Sequence, residues 1–293
     1  MATPVNTKAK HEILYNEVGQ QLWASIVRHE GHPTILLARR GMGKSVVLEQ
    51  IGAKLGYKIA KVNLFKSAKA RTFFGSYYPA PDGTLKWEDQ VWTEICRPSE
   101  TCLWPGEKCI CEKAMLIIDE INRGNEDIQS RLLSMTEDGR PYIVLLEKGN
   151  DAFSLHPNVW LAGTMNPLGG GYSTNPVDAA LQDRFRFYEI NEPIADETQI
   201  MRGLLPEAEF GKMWESLLNF AVDLRGNEDT YMSTRCLTMT AKSVLYGEPV
   251  IAAIKLNYIN MLQPQTRKNI DGVMRQHFDK EWITSGGLQK LKF

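Results

Sequence analysis

The sequence has no excess of either charge. Lys plus Arg number 34 against 35 Asp plus Glu, a formal net charge of −1. Overall basicity therefore does not indicate a nucleic-acid partner, although a local basic patch is compatible with this balance. Long apolar runs are also missing, and no stretch approaches the roughly 20 residues of a membrane span. Met1 to Asn6 lack a basic segment followed by an apolar one, so they do not read as a secretory signal. There is no internal repeat and no low-complexity tract. Cysteine is sparse, with five in 293 residues. Without an export signal, this points to a reducing, cytoplasmic setting. What remains is ordinary for a globular protein: 43% hydrophobic and 24% charged residues. The length suits one large domain or two modest ones.

The chain is organised around Leu36-Leu37-Ala38-Arg39-Arg40-Gly41-Met42-Gly43-Lys44-Ser45. An apolar run from Pro33 to Leu37 reads as a buried strand, and Val46 to Ile51 reads as a helix. A strand, a tight loop and a helix opening on Gly-Lys-Ser have the layout of a phosphate-binding loop. Backbone N–H groups must converge on phosphate oxygens there, so the loop needs residues without bulky Cβ atoms, here Gly41 and Gly43. The helix start favours an anion. Lys44 brings charge to β- and γ-phosphates, and Ser45 offers a hydroxyl to Mg²⁺. The nucleotide-binding set on this reading is Arg40, Gly41, Met42, Gly43, Lys44, Ser45 and Val46, with Asp119. Ala38 replaces the first glycine of the motif, which is tolerable if its φ stays negative.

Strands alternate with helices as far as residue 194. Helices are expected at 12–28, 86–96, 126–137 and 176–184, and strands at 57–64, 114–118, 159–164 and 186–190. Lys148-Gly149-Asn150-Asp151 marks a hairpin turn between 142–147 and 152–155. After Pro193 only helices are expected, at 196–205, 207–224, 234–246, 249–262 and 265–278. The pattern predicts an α/β domain with a parallel sheet over 1–194 and a small all-helical domain over 195–293.

Asp119 and Glu120 end the apolar run 114–118, where open α/β sheets bind ligands. In a phosphate-loop enzyme the Asp holds Mg²⁺ through water and the Glu polarises the attacking water. Otherwise they are two solvent charges at a strand end. Asn166, in Gly-Thr-Met-Asn-Pro, either orients a water or belongs to an Asn-Pro turn. Arg184 either pairs with Asp183 at the surface or reaches a neighbouring subunit's nucleotide. Ser233 suits a helix N-cap. Arg235 then sits in the first helical turn, where a bound anion would offset the unfavourable dipole.

These segments in this order, from Gly-Met-Gly-Lys-Ser through Leu-Ile-Ile-Asp-Glu-Ile-Asn-Arg and Gly-Thr-Met-Asn-Pro to Leu-Gln-Asp-Arg-Phe and Ser-Thr-Arg, resemble an AAA+ ATPase. The nearest resemblance is to the MoxR group and its CobS-like members, over about residues 10–280. It implies Walker A at Gly41, Gly43, Lys44 and Ser45, and Walker B at Asp119 and Glu120. It further implies sensor 1 at Asn166, an arginine finger at Arg184, sensor 2 at Arg235 and a polar switch at Asn63. A ring, commonly hexameric, with ATP and Mg²⁺ at each subunit boundary is implied too, as is remodelling of a protein partner, often one with a von Willebrand factor A domain. The rival functions are a nucleic-acid-associated motor of the same fold and a non-hydrolysing nucleotide switch. Glu120 and Arg184 argue against the switch.

Two features lie outside that pattern. Phe73-Phe74-Gly75-Ser76-Tyr77-Tyr78 is either a substrate-gripping loop or core packing. Cys96, Cys102, Cys109 and Cys111, in an irregular insert over 96–113, are Zn²⁺ ligands, free thiols or a redox pair; the close pairing usual for zinc is missing.

Overall fold

The computed structural model of the protein describes residues 15–97, 112–168 and 176–278. In chain order the elements begin with α1 (Glu17–Arg28), β1 (Thr34–Ala38), α2 (Lys44–Lys54), β2 (Lys58–Asn63), α3 (Arg71–Phe74), β3 (Gly75–Pro79), β4 (Leu85–Asp89) and α4 (Val91–Cys96). Next come β5 (Ala114–Asp119), α5 (Glu126–Met135), β6 (Tyr142–Leu145), β7 (Asp151–Ser154), β8 (Val159–Met165), α6 (Ala179–Gln182) and β9 (Arg186–Ile190). Helices follow: α7 (Glu197–Leu204), α8 (Glu207–Phe210), α9 (Met213–Arg225), α10 (Thr234–Leu245), α11 (Val250–Asn257) and α12 (Pro264–His277).

Two compact units are distinguished. Among the described residues, one comprises those within 21–39 and 44–191, and the other those within 15–20, 40–43 and 192–278. The first holds a five-stranded sheet in the order β2-β5-β8-β1-β9, with every pairing parallel. The expected parallel α/β architecture is therefore present. The interior strand β5 is buried from Ala114 to Ile118, as its unbroken apolar run requires. The edge strand β2 instead carries exposed Lys58 and Lys61, and charge on an edge discourages pairing with another sheet. Helix α2 packs on β1, β2, β5 and β8. Helix α5 starts as its sequence suggests, with Asn125 accepting from the Ile128 N–H at 3.1 Å.

Residues 86–96 are not one helix. They form β4, then α4, and β4 pairs antiparallel with β3 across the turn at 80–84. Asp82 closes that turn by accepting from the Thr84 N–H and hydroxyl. Gly75 is needed where this hairpin begins. Its φ is 147°, and a Cβ there would lie 2.4 Å from Trp87 Cζ2. The aromatic stretch divides accordingly. Phe73 and Phe74 are buried against Trp92, whereas Tyr77 and Tyr78 are exposed on the hairpin. The second hairpin, β6–β7, forms as read.

The second unit is helical beyond Pro193. Its core gathers Trp214, Leu217 and Phe220 of α9, Leu237 and Ala241 of α10, Ile254 of α11 and Ile270 of α12. A bidentate Arg225–Glu197 pair, 2.7 Å on both arms, ties α9 to α7. The single helix expected over 207–224 is broken at Gly211, φ 57°. The helix expected over 249–262 ends at Asn257, after which a short 3-10 turn spans Ile259–Met261.

Candidate nucleotide site

Ala38 ends β1 buried and with negative φ, so the missing first glycine costs the loop nothing, whereas Gly41 and Gly43 have φ of 83° and 87°. Lys44 opens α2 and is 8% exposed. Its ammonium donates to the carbonyls of Ala38 (2.7 Å) and Arg39 (3.0 Å) and to Asn166 Oδ1 (3.0 Å). A buried ammonium requires such partners. Ser45, next along, donates to Asp119 Oδ1 at 2.5 Å.

The parallel register brings these groups to one edge. Leu37 lies opposite Met165 and Ile118 opposite Gly163, and the bonds from Lys44 and Ser45 to Ala38, Asn166 and Asp119 put the ends of β1, β8 and β5 beside the start of α2. Thr164 Oγ1 donates to Asp119 Oδ1 at 2.9 Å and accepts from the Glu120 N–H at 3.2 Å. Glu120 is left-handed, φ 57° and ψ 47°. For a non-glycine residue this costs on the order of 1–3 kcal/mol, which the surrounding contacts must hold. Asn166 Nδ2 lies 3.4 Å from Glu120 Oε1. Arg123 Nε approaches Glu120 Oε2 at 2.8 Å off the N–H axis, a charge contact rather than an aligned hydrogen bond. Asn122, fully buried, donates to the Asn166 carbonyl at 2.9 Å and so ties the turn after β5 to the end of β8. Asn63 is exposed at the end of β2; the contacts to the Glu120 carboxylate come from Asn166 and Arg123.

Sequence reasoning assigned no role to Thr164, Asn122 or Lys61. Lys61 Nζ lies 2.6 Å from Glu49 Oε1 and 3.0 Å from Asp119 Oδ2. Burial alone would lower its pKa, but the Glu49 hydrogen bond and the Asp119 charge outweigh burial and raise it.

Arg184 lies elsewhere. It precedes β9, whose first residue, Arg186, pairs with Thr34 at the start of β1. Arg184 therefore lies at the amino edge of the sheet, and Lys44, Asp119, Glu120 and Asn166 follow the carboxyl ends of their strands. It does not pair with Asp183. Its guanidinium donates to the Leu133 carbonyl and meets Glu137 at 2.9 Å. It lines an open cleft of about 520 Å³ with Thr136, Glu137, His156 and Phe185.

In the second unit, Ser233 caps α10 by accepting from the Cys236 N–H at 3.3 Å. A Cβ on Gly41 would lie 2.6 Å from Ser233 Oγ and 3.3 Å from Arg235 Cβ, so the loop residue must be glycine for space as well as for φ. Arg235 is exposed beside that backbone.

The zinc expectation finds no support. Cys96 is fully buried at the end of α4 among the apolar side chains of the core, and burial pushes its thiol pKa up. Cys102, Cys109 and Cys111 lie outside the described residues. Among the described residues no cluster of three or more His, Cys, Asp and Glu side chains is arranged to hold a metal.

Residues 33–185 match the family model of the AAA domain, dynein-related subfamily. The chain belongs to this family of AAA ATPases. It is 21% identical over 243 residues, 77% of its length, to mouse (Mus musculus) von Willebrand factor A domain-containing protein 8. It is 26% identical over 157 residues, 52% of its length, to midasin of Giardia intestinalis. It spans only 12% and 3% of these relatives. Among solved structures, NtrX from Brucella abortus in complex with ADP covers 80% of this chain with 51% of its own, at 11% identity and a TM-score of 0.52. At that identity the likeness is one of fold. No helix among the described residues is long and apolar enough to cross a membrane.

Proposed function

We propose that this chain is a magnesium-dependent ring ATPase of the MoxR, CobS-like kind, completing each catalytic site between two subunits and remodelling a protein partner. The observation that carries this is the position of Arg184. Strand β1 is five residues long, so roughly 13 Å of sheet separates the edge holding Arg184 from the edge holding Lys44. An arginine placed there serves a nucleotide on the next subunit far more readily than its own.

The donor set beside Lys44 suits Mg²⁺. Ser45 Oγ and the Asp119 carboxylate are hard oxygens in contact, and carboxylate plus hydroxyl is the ligand chemistry that magnesium takes beside phosphates. Ser45 and Asp119 would hold the ion, which when bound neutralises charge on the β- and γ-phosphates. Lys44 would turn from its own loop carbonyls to those phosphates. Glu120 would take a proton from the attacking water, with Asn166 fixing its carboxylate. Arg235, beside the Gly41 backbone, would contact phosphate as sensor 2. A von Willebrand factor A module is the favoured partner, since one relative carries that domain in its name.

The test mixes two variants. Arg184→Ala alone should bind ATP and hydrolyse it about 10³-fold more slowly, a common worth for an arginine finger. Glu120→Gln alone should also bind and turn over slowly. Subunits of the two kinds, allowed to exchange, should recover part of the activity, because an Arg184→Ala subunit keeps Glu120 and receives Arg184 from its neighbour. Near-normal phosphate release by Arg184→Ala, or no recovery despite demonstrated exchange, would remove the shared site.

A further inference from the structure

Asp119 is crowded in an uneven way. Its Oδ1 accepts from both Ser45 and Thr164, while its Oδ2 faces the Lys61 ammonium at 3.0 Å. Lys61 has a second carboxylate in contact, Glu49 at 2.6 Å. Glu49 sits on α2 four residues after Ser45, one helical turn along. Lys61 comes from β2, on the same strand face as Asn63. One ammonium is therefore shared between a carboxylate of the magnesium set and a carboxylate outside it.

We propose that Lys61 is an internal counter-cation of Asp119 that sets how much magnesium the site requires. Without the divalent ion, Lys61 neutralises Asp119. A divalent ion held near Asp119 repels the ammonium at short range, and Glu49, already in contact, receives it with a small side-chain rotation. Each magnesium ion must therefore displace a positive charge from Asp119. Lys61 weakens magnesium binding, keeps the carboxylate paired while the metal is absent, and moves onto the Walker-type helix when the metal arrives. The inference rests on the assignment of Ser45 and Asp119 as the magnesium residues.

The experiment measures binding, not turnover. A fluorescent ADP at fixed concentration is bound to the full chain while free Mg²⁺ is raised in a metal buffer, and the half-saturating Mg²⁺ is read for each variant. Lys61→Met should lower it by about threefold to tenfold, the scale of losing one partly screened charge. Lys61→Arg, which keeps the charge, should stay close to the parent. Glu49→Gln removes the alternative partner, so it should raise the requirement. Thermal melting with and without Mg²⁺ gives a second reading: the melting gain on adding the metal should be larger for Lys61→Met than for the parent. If the parent chain shows no magnesium dependence of nucleotide binding, the metal assignment itself is wrong. If the parent shows it and Lys61→Met is unchanged or needs more Mg²⁺, the counter-cation role is overturned. Should Lys61→Met not fold, an unchanged requirement in Glu49→Gln overturns it equally.

Discussion

The two edges of the five-stranded sheet are built differently. At the carboxyl edge, Lys44, Asn122, Thr164 and Asn166 are all buried, and each is bonded to another residue of that edge. At the amino edge, Arg184 lies at the rim of an open cleft, held by a carbonyl and by the exposed Glu137. The first arrangement is finished within one chain. The second leaves a charged group lining an open cleft. On the proposed reading, the contrast separates groups that bind and orient a nucleotide from a group delivered to a neighbouring subunit.

Substituting at the carboxyl edge should produce the largest effect. Lys44→Ala removes the charge proposed to meet phosphate and leaves three acceptors without their donor. Nucleotide affinity should fall by at least about 100-fold, since charge-assisted contacts to phosphate are among the strong ones. Equilibrium binding of a fluorescent ATP analogue measures this. Retained affinity would mean that the buried ammonium is structural and that the two edges differ little in kind.

Asn122 should come next, and its effect should fall on stability rather than chemistry. The side chain is fully buried and supplies the amide that meets the Asn166 carbonyl. Asn122→Leu leaves that carbonyl without this donor, a cost of about 1–3 kcal/mol. Chemical denaturation should show a lowered midpoint with unchanged slope. A variant as stable as the parent would show that the bond between the turn after β5 and the end of β8 contributes little.

Much of the carboxyl edge was legible in the sequence because its requirements are local. Gly41 and Gly43 announce positive φ, an apolar run announces β5, and Asp119-Glu120 follow it directly. Thr164 and Lys61 were not legible, because their roles come from pairing between strands far apart in the chain. Thr164 reaches Asp119 only because Gly163 lies beside Ile118. The β3–β4 hairpin was missed for a related reason. Lys86-Trp87-Glu88-Asp89 is mostly polar, and a two-stranded exposed ribbon needs no clean apolar alternation. Gly211 was readable as a breaker but lay within a helical apolar pattern that continues on both sides. The amino edge was legible only in part. The sequence offered Asp183 as the partner of Arg184, whereas Leu133 of α5 and Glu137 in the turn after it supply the contacts.

The smallest effect should come from Glu137, and its sign tests the contrast between the edges. The Arg184–Glu137 pair is exposed, with Glu137 46% and Arg184 27% accessible. Pairs of this kind contribute about 0–1 kcal/mol, so Glu137→Gln should barely move the melting temperature of the chain. Its effect on hydrolysis is more telling. If Arg184 must leave Glu137 to meet a phosphate on another subunit, weakening the pair lowers the cost of that departure. Turnover should then stay level or rise by about twofold to threefold, which corresponds to a few tenths of a kcal/mol. If Glu137 instead orients Arg184 for the transfer, the same change should slow phosphate release, in the extreme by as much as Arg184→Ala. Steady-state rates of the two variants, measured at protein concentrations where subunits associate, separate these cases. A rise or a level rate marks Glu137 as a resting partner, whereas a large fall would make the amino edge as tightly assembled as the carboxyl edge.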